Sequence, residues 1–227
     1  MPGAIVIGAG PGIGTSVARR LADEGLPVAV LARSAATIER TLRSLEAAGT
    51  ETTGLTADVT DEAGLRAALD QAVDRFGVPD LLVYNAALIQ WDPVGELTAQ
   101  QHLDAWAVNV VGAITAVAHL GPAMAEAGRG TILLTGGMPD PIPEVTSLSL
   151  GKAGVRALTE LLASAYEPSG VHVATVTVGG AVAPGSAFDP DEIAEDFWRV
   201  HTQPEGAWER EVVYTGRSAG RAVASAG

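Results

Sequence analysis

The sequence predicts an α/β fold: a doubly wound parallel β-sheet flanked by helices on both faces, in a single domain. Three observations predict it. Short runs that are apolar at every position alternate with longer stretches whose apolar residues recur at helical spacing. The first such run leads through a glycine-rich turn directly into the first helical stretch. Finally, 227 residues, rich in alanine, glycine and valine and with only 4% aromatics, suit one closely packed core and leave no room for a separate substrate domain. Strands that are apolar throughout are buried on both faces, the condition of a parallel sheet covered on each side by its crossover helices.

In order, Ala4 to Ile7 is an apolar run bounded by glycines and reads as the first strand; Val17, Ala18 and Leu21 form the stripe of the helix behind it, with Gly25 as its stop. Val28 to Leu31 is the second strand, and Ile38, Leu42 and Leu45 mark the second helix. A short strand is expected before Asp58, and Leu65, Leu69, Val73 and Phe76 mark a third helix. Leu81 to Tyr84, Thr131 to Leu134 and Val171 to Val178 are further buried strands, separated by long helical stretches around Ala105 to Ala125 and Ser149 to Tyr166. Right-handed crossovers between parallel strands place ligands at the strands' carboxyl ends. The domain spans 1–227, and its one shift in composition follows Gly179, where Pro184, Gly185, Pro190, Pro204 and Gly206 punctuate a segment carrying Phe188, Phe197, Trp198 and Trp208. Residues from about 183 to 210 are expected to form an insertion that covers the site as a lid. Its acidic cluster, Asp189, Asp191, Glu192, Glu195 and Asp196, suits a helix N-terminus rather than a metal, and Tyr214 falls on the expected last strand.

With no cysteine there is neither a disulfide framework nor a thiolate ligand, and the four histidines show no metal-binding spacing, so no metal site is expected. The formal net charge of −13 opposes binding to nucleic acid or anionic lipid, which are held by lysine and arginine on phosphates. The apolar opening at Ala4 to Ile7 lacks the charged flank of a signal peptide, and no stretch reads as long enough to span a membrane. The expectation is a cytoplasmic protein whose partner is a small-molecule substrate, not nucleic acid or a membrane.

Gly8-Ala9-Gly10-Pro11-Gly12-Ile13-Gly14 follows a strand and opens a helix, so backbone amides unobstructed by Cβ atoms can face a pyrophosphate at the helix N-terminus. The spacing that matters is that of Gly8, Gly12 and Gly14, which differs from the G-x-G-x-x-G fingerprint. At the end of the second strand an acidic residue would accept hydrogen bonds from an adenosine ribose. This chain has Ala32 and then Arg33-Ser34, and a guanidinium there suits a 2′-phosphate. NADP(H) is therefore the expected cofactor and NAD(H) the less favoured one, although Pro11 supplies no second cation inside the loop.

These residues, with three further segments, resemble the short-chain dehydrogenase/reductase family over most of the chain, and the resemblance implies a Rossmann-like fold. Gly8, Gly12 and Gly14 match the family's glycine pattern, with Gly10, Pro11 and Ile13 beside them. Asp58-Val59 is similar to the pair that contacts adenine in the family, the carboxylate accepting from the exocyclic amine and the valine packing on the ring. Tyr84-Asn85-Ala86-Ala87 is similar to the family's Asn-Asn-Ala-Gly turn, agreeing with it at Asn85 and Ala86, and implies that Asn85 braces the central strand beside the cofactor. Asn109-Val110-Val111-Gly112 resembles the active-site asparagine segment, which in the family bends a helix and holds a water of the proton relay. Val178-Gly179-Gly180-Ala181-Val182 resembles the segment after the sixth strand that borders the nicotinamide, which implies cofactor contacts at Gly180 and Val182; Gly179 stands for the family's proline and Ala183 for its usual threonine.

Of the family's catalytic serine, tyrosine and lysine, only the lysine is plainly matched. Lys152 closes Ser147-Leu148-Ser149-Leu150-Gly151-Lys152; in the family this ammonium binds the nicotinamide ribose and lowers the pKa of a phenol one turn earlier, where this chain has Leu148. A leucine transfers no proton. Counted from Gly130 along the strand, the serine position falls on Gly137, with Thr135 the nearest hydroxyl, and the stretch from there to Lys152 is shorter than in the family. Ser149, on the same helix face as Lys152, is either a hydroxyl carried toward the site or a helix-start cap. Tyr84, Tyr166 and Tyr214 offer no obvious replacement phenol. Asn109, Lys152 and Ser149 are thus the catalytic candidates. The leading expectation is an NADP(H)-dependent oxidoreductase acting on a carbonyl or imine of a small organic substrate. The alternatives are a non-redox isomerase, lyase or cyclase on the same scaffold, or an NADP(H)-sensing binding protein. Family members associate through the two long helices, here around Asn109 and Lys152, and through the last strand, so a homodimer or homotetramer is implied.

Overall fold

The computed structural model describes residues 3–217. Seven strands, β1 (Ala4–Ile7), β2 (Val28–Ala32), β3 (Thr52–Thr56), β4 (Leu81–Tyr84), β5 (Thr131–Gly137), β6 (His172–Val178) and β7 (Glu211–Tyr214), form one sheet in the order β3-β2-β1-β4-β5-β6-β7. Every pairing is parallel. The connections carry α1 (Ile13–Asp23), α2 (Ala35–Leu45), α3 (Glu62–Phe76), α4 (Ala99–Trp106), α5 (Gly112–Glu126), α6 (Thr146–Tyr166) and α7 (Pro190–His201). Alternate residues of each strand feed opposite faces. Ile5, Ile7, Leu82 and Ile132 belong to the core under α3, α5 and α6, whereas Val6, Val30, Val83 and Leu133 belong to the core under α1, α2 and α7. Each such side chain, fully buried, contributes about 2 kcal/mol, so the strands are apolar at nearly every position because both of their faces are core. This is the doubly wound, Rossmann-like fold that the apolar runs predict.

Some elements differ from the sequence expectation. β5 continues through Thr135, Gly136 and Gly137, which stay in register with β6 up to Gly137 opposite Val178. A Cβ at Gly136 would overlap the hydroxyls of Thr175 and Thr177, so a residue that reads as a breaker here permits close packing. The helix expected near Ala105 starts at Ala99, where Thr98 and Gln101 cap each other reciprocally. It runs through a π-helical segment, Ala107–Val111, into α5. The continuous helix Ala99–Glu126, 28 residues with a mean hydropathy of 1.5 in its most apolar window, is long and apolar enough to cross a membrane. This corrects the reading that no stretch approaches such a length; its residues Ala113, Val117, Leu120 and Met124 are buried in the core.

The segment from 183 to 210, expected as a lid from its prolines and glycines, contains a core helix. Its centre is α7, whose Ile193, Ala194, Phe197 and Val200 are buried in the sheet-side core with α1. Trp198 lies against Arg20 and His201, and Trp208 stacks on His172. Asp189 caps α7 by accepting from Asp191 N (2.9 Å), the role expected of the acidic cluster. Residues 181–187, just before this helix, are exposed, and Val182 among them lines the cleft described next.

Candidate active site

The strand order reverses between β1 and β4, and at the carboxyl ends of these strands lies a cleft of about 570 Å³. Asn85 builds it. Its backbone N–H donates to Ile7 O (2.8 Å) and its side-chain amide to Gly8 O (2.8 Å), joining the end of β4 to the glycine loop, while the Thr135 hydroxyl donates to its Oδ1 (3.0 Å). The loop glycines divide the work. Gly8, with a φ of 86°, lies against the backbone of Ala86, and Gly14 lies against Gly8 O, so a Cβ on either would overlap main chain. At Gly10 and Gly12 nothing stands within 4 Å of where a Cβ would be. They offer bare backbone beside the start of α1, a surface that fits a pyrophosphate. Gly8, Gly10, Pro11, Gly12 and Ile13 line the cleft, and Gly14 is packed outside its walls.

Beyond the loop, Arg33 and Ser34 line the cleft after β2, and Val59 after β3. Asp58 does not line it. Its exposed carboxylate accepts from Thr60 N (2.9 Å) and the Thr60 hydroxyl (2.7 Å); these bonds, with a smaller contribution from the Arg33 guanidinium, hold it below the usual carboxylate range. The remaining wall is formed by Asn85, Ala86 and Ala87 after β4, Lys152 from α6, and Gly180 and Val182 after β6.

Lys152 is buried, and its Nζ donates to Thr135 O (2.5 Å). Burial draws its ammonium down to about 8. Leu148 lies on the same wall one helical turn earlier, and a Cβ at Gly137 would meet the lysine stem at 3.7 Å, an ordinary contact. Gly137 and Leu148 both line the cleft and bring no hydroxyl to it, beside Leu88, Met138 and Val178.

The other two catalytic candidates stand outside the cleft wall. The Ser149 hydroxyl donates to Ile142 O (3.1 Å) and accepts from Ile142 N (3.0 Å), because the loop before α6 folds back over the helix start. It clamps a loop and is not placed to donate a proton to a bound substrate. Asn109 is buried, its Oδ1 accepting from Leu88 N (2.7 Å) and its Nδ2 donating to Leu88 O (3.4 Å). It lies in the π-helical segment, where α6 comes so close that a Cβ at Gly151 would meet its side chain. Asn109 thus positions Leu88 on the wall. The Tyr84 hydroxyl donates to Val108 O in the same segment (2.6 Å), and burial pushes its phenol well above the ordinary value. Trp91 is exposed on the loop after β4.

Two residues that shape the site carry no motif in the sequence. Asp92 is fully buried, and its Oδ2 accepts from Ser147 N (2.9 Å), pinning the loop after β4 to the N-terminus of α6. Arg156, one turn beyond Lys152, donates from Nη1 to Gly137 O (3.0 Å) and Met138 O (3.1 Å), where Met138 adopts a φ of 49°. Its spacing from Lys152 was the available signal; for Asp92 there was none. Among the described residues no group of three or more histidine, aspartate or glutamate side chains is placed to hold a metal ion.

Residues 3–189 match the sequence family described as short chain dehydrogenase. The cis-4-hydroxycyclohexanecarboxylate dehydrogenase of Sinomonas cyclohexanicum is 34% identical over 192 residues, which cover 82% of this chain and 74% of that protein. Among solved structures, a variant of the actinorhodin polyketide ketoreductase with NADPH is similar with a TM-score of 0.87 at 26% identity, covering 95% of this chain and 96% of the other. NAD+-bound xylitol dehydrogenase is similar with a TM-score of 0.77 at 28% identity, covering 81% and 72%.

Proposed function

The chain belongs to the short-chain dehydrogenase family, and on that premise we propose that it is an NADP(H)-dependent oxidoreductase acting on a carbonyl or imine of a small organic substrate. The observation that carries this reading is the continuity of one cleft from the bare glycines, past Arg33 and Asn85, to Lys152 and Val182. In this reading Gly10 and Gly12 hold the pyrophosphate, Arg33 and Ser34 the 2′-phosphate, Lys152 the ribose next to the nicotinamide, and Gly180 and Val182 its amide. The bound cofactor supplies or accepts the hydride.

The proton source differs from the family's. Among the described residues Lys152 and Arg33 are the ionisable side chains on the cleft wall, and of these Lys152 has the proton that can be given up, since at neutral pH Nζ is protonated with its pKa at about 8. A ketone that accepts hydride needs a proton at oxygen, and Nζ is the protein atom that can provide it. An imine already protonated at nitrogen needs none. The wall of Leu88, Ile89, Met138 and Leu148 offers no carboxyl or phenol as a proton donor, so an imine that arrives protonated stands beside the ketone as a substrate class.

The test is a calorimetric titration with NADPH and NADH, followed by absorbance measurements of NADPH oxidation with cyclic imines and their matched ketones. Tighter binding of NADPH and imine-dependent oxidation are expected; equal weak binding of both nucleotides would remove the role given to Arg33. The apolar pair Gly137 and Leu148 specifically favours a second reading, a non-redox isomerase, lyase or cyclase, whose signature is substrate conversion with no net change in NADPH. Tight binding with neither outcome would favour a sensor. We also infer a homodimer or homotetramer, because Leu103, Trp106, Ile114, Leu150 and Leu161 are exposed on α4, α5 and α6. A monomer mass by light scattering would contradict it.

A further inference from the structure

Among the described residues every arginine except Arg33, Arg40 and Arg156 forms an ion pair with an aspartate or glutamate. In a chain with a net charge of −13, carboxylates are plentiful, so an arginine left without one is set apart. Arg156 is engaged by the carbonyls of Gly137 and Met138. The other two bracket the start of α2.

α2 is docked on the glycine loop through Thr41, which donates to Ala9 O (2.9 Å), and Arg40 stands at the exposed rim of that contact. Arg40 itself makes one long hydrogen bond, from Nη2 to the Thr37 hydroxyl (3.3 Å), and is exposed. Thr37 lines the cofactor cleft together with Arg33. It also lines, with Arg40, Pro11 and Gly12, an adjoining cavity of about 350 Å³. The other charged walls of that cavity are Arg19 and Asp191, which pair with each other, and Asp189, whose carboxylate accepts from the Asp191 and Gly185 amides.

We propose that Arg40 is a second guanidinium for the ribose 2′-phosphate, acting from α2 together with Arg33 and the Thr37 hydroxyl. The inference rests on the reading of the cleft as an NADP(H) site. A phosphomonoester is close to a dianion at neutral pH, and two guanidiniums with a hydroxyl match both its charge and its oxygens. Pro11 denies the glycine loop a cation of its own, and Arg40 restores that charge from the neighbouring helix.

The test uses the full chain with 2′,5′-ADP and 5′-AMP as probes, two ligands that differ only in the 2′-phosphate, titrated by calorimetry against the parent, Arg40→Gln and Arg33→Gln. The parent should prefer 2′,5′-ADP, and Arg40→Gln should weaken that ligand by about tenfold while leaving 5′-AMP unchanged. Arg40→Lys should recover part of the loss, since it keeps the charge without the fork. If the parent discriminates between the probes and Arg40→Gln keeps the same ratio, the role of Arg40 is overturned and the cofactor reading stands on Arg33 alone. Equal weakening of both probes also overturns it, as a general disturbance of the loop. A parent that does not discriminate overturns the NADP(H) reading itself.

Discussion

Replacing Leu148 by tyrosine and Gly137 by serine in one variant should convert poor ketone reduction into efficient ketone reduction. A Cβ at Gly137 meets nothing closer than the Lys152 stem and Val178 O at 3.7 Å, so the first side-chain atom of a serine enters at ordinary contact distance. Leu148 is buried against the helix yet lines the cleft, so a phenol grown from that position has space ahead of it. It would stand one turn before Lys152, whose ammonium favours the phenolate and so lowers the phenol's pKa. A positioned general acid contributes about 10²–10⁴ in rate, roughly 3–5 kcal/mol of barrier. Because Nζ is already held by Thr135 O, the lower end applies, about a hundredfold gain in kcat/KM for ketones. Reduction of a protonated imine, which takes up no proton, should change by less than about threefold. The assay is the initial rate of NADPH oxidation with a ketone and imine pair, with NADPH affinity measured on the same preparations. A ketone gain under about threefold, in a variant that folds and binds NADPH like the parent, would refute the argument that the missing acid limits this reaction.

Four further outcomes are expected. Ketone reduction by the parent should be level at lower pH and fall as the pH rises through about 8, where Lys152 loses its proton; a pH–rate profile that stays level well beyond that value excludes Nζ as the donor. Burial, with the nearby His172 adding to it, draws the His201 imidazole down to about 4 from its ordinary 6.5, so its neutral form is favoured in the folded state. Stability is therefore complete above the unfolded value and is lost as the pH falls from there through about 4, by up to about 3 kcal/mol, and His201→Asn should narrow the difference between urea midpoints at neutral and acid pH. Asp92→Ala leaves Ser147 N without its acceptor and should cost about 2 kcal/mol in chemical denaturation; a loss under about 0.5 kcal/mol would show that this contact pins nothing. Ser149→Ala should lower the melting temperature without altering turnover, whereas a large fall in kcat would return Ser149 to the chemistry.

The strands were legible where burial on both faces left no polar interruption. Ala4–Ile7 and Leu81–Tyr84 carry the limits expected of them. β5 was read short because Gly136 and Gly137 look like punctuation, and only its pairing with β6 shows that their lack of side chains serves the packing. α7 was hidden by flanking prolines and acids, although Ile193, Phe197 and Val200 are spaced as a buried helical stripe. At the site, the glycine loop, Arg33 and Asn85 each follow directly from the end of a strand, whereas Lys152 lies inside α6 and was reached only through the family resemblance; all of them line the one cleft. The orientation of Ser149 was not legible, since its partner Ile142 lies in an irregular loop whose path no periodicity describes. Arg40 likewise became meaningful only once Thr41 had docked α2 on the glycine loop.

The π-helical turn at Ala107–Val111 acts as a phase shifter within the long helix. One additional residue in a turn advances everything beyond it by about 100° around the axis. Upstream, Leu103 and Trp106 point outward; downstream, Ala113, Ala116, Val117 and Leu120 turn into the core. The run has the length and composition of a membrane span because apolar residues that face outward, Val111 and Ile114 among them, add to those that face the core. Tyr84 fixes the angular offset from the sheet through Val108 O. Losing one residue between 107 and 111 would therefore rotate the core stripe of α5 off the sheet, while the same loss in the exposed stretch before α7 would shorten a loop and leave every helix in phase.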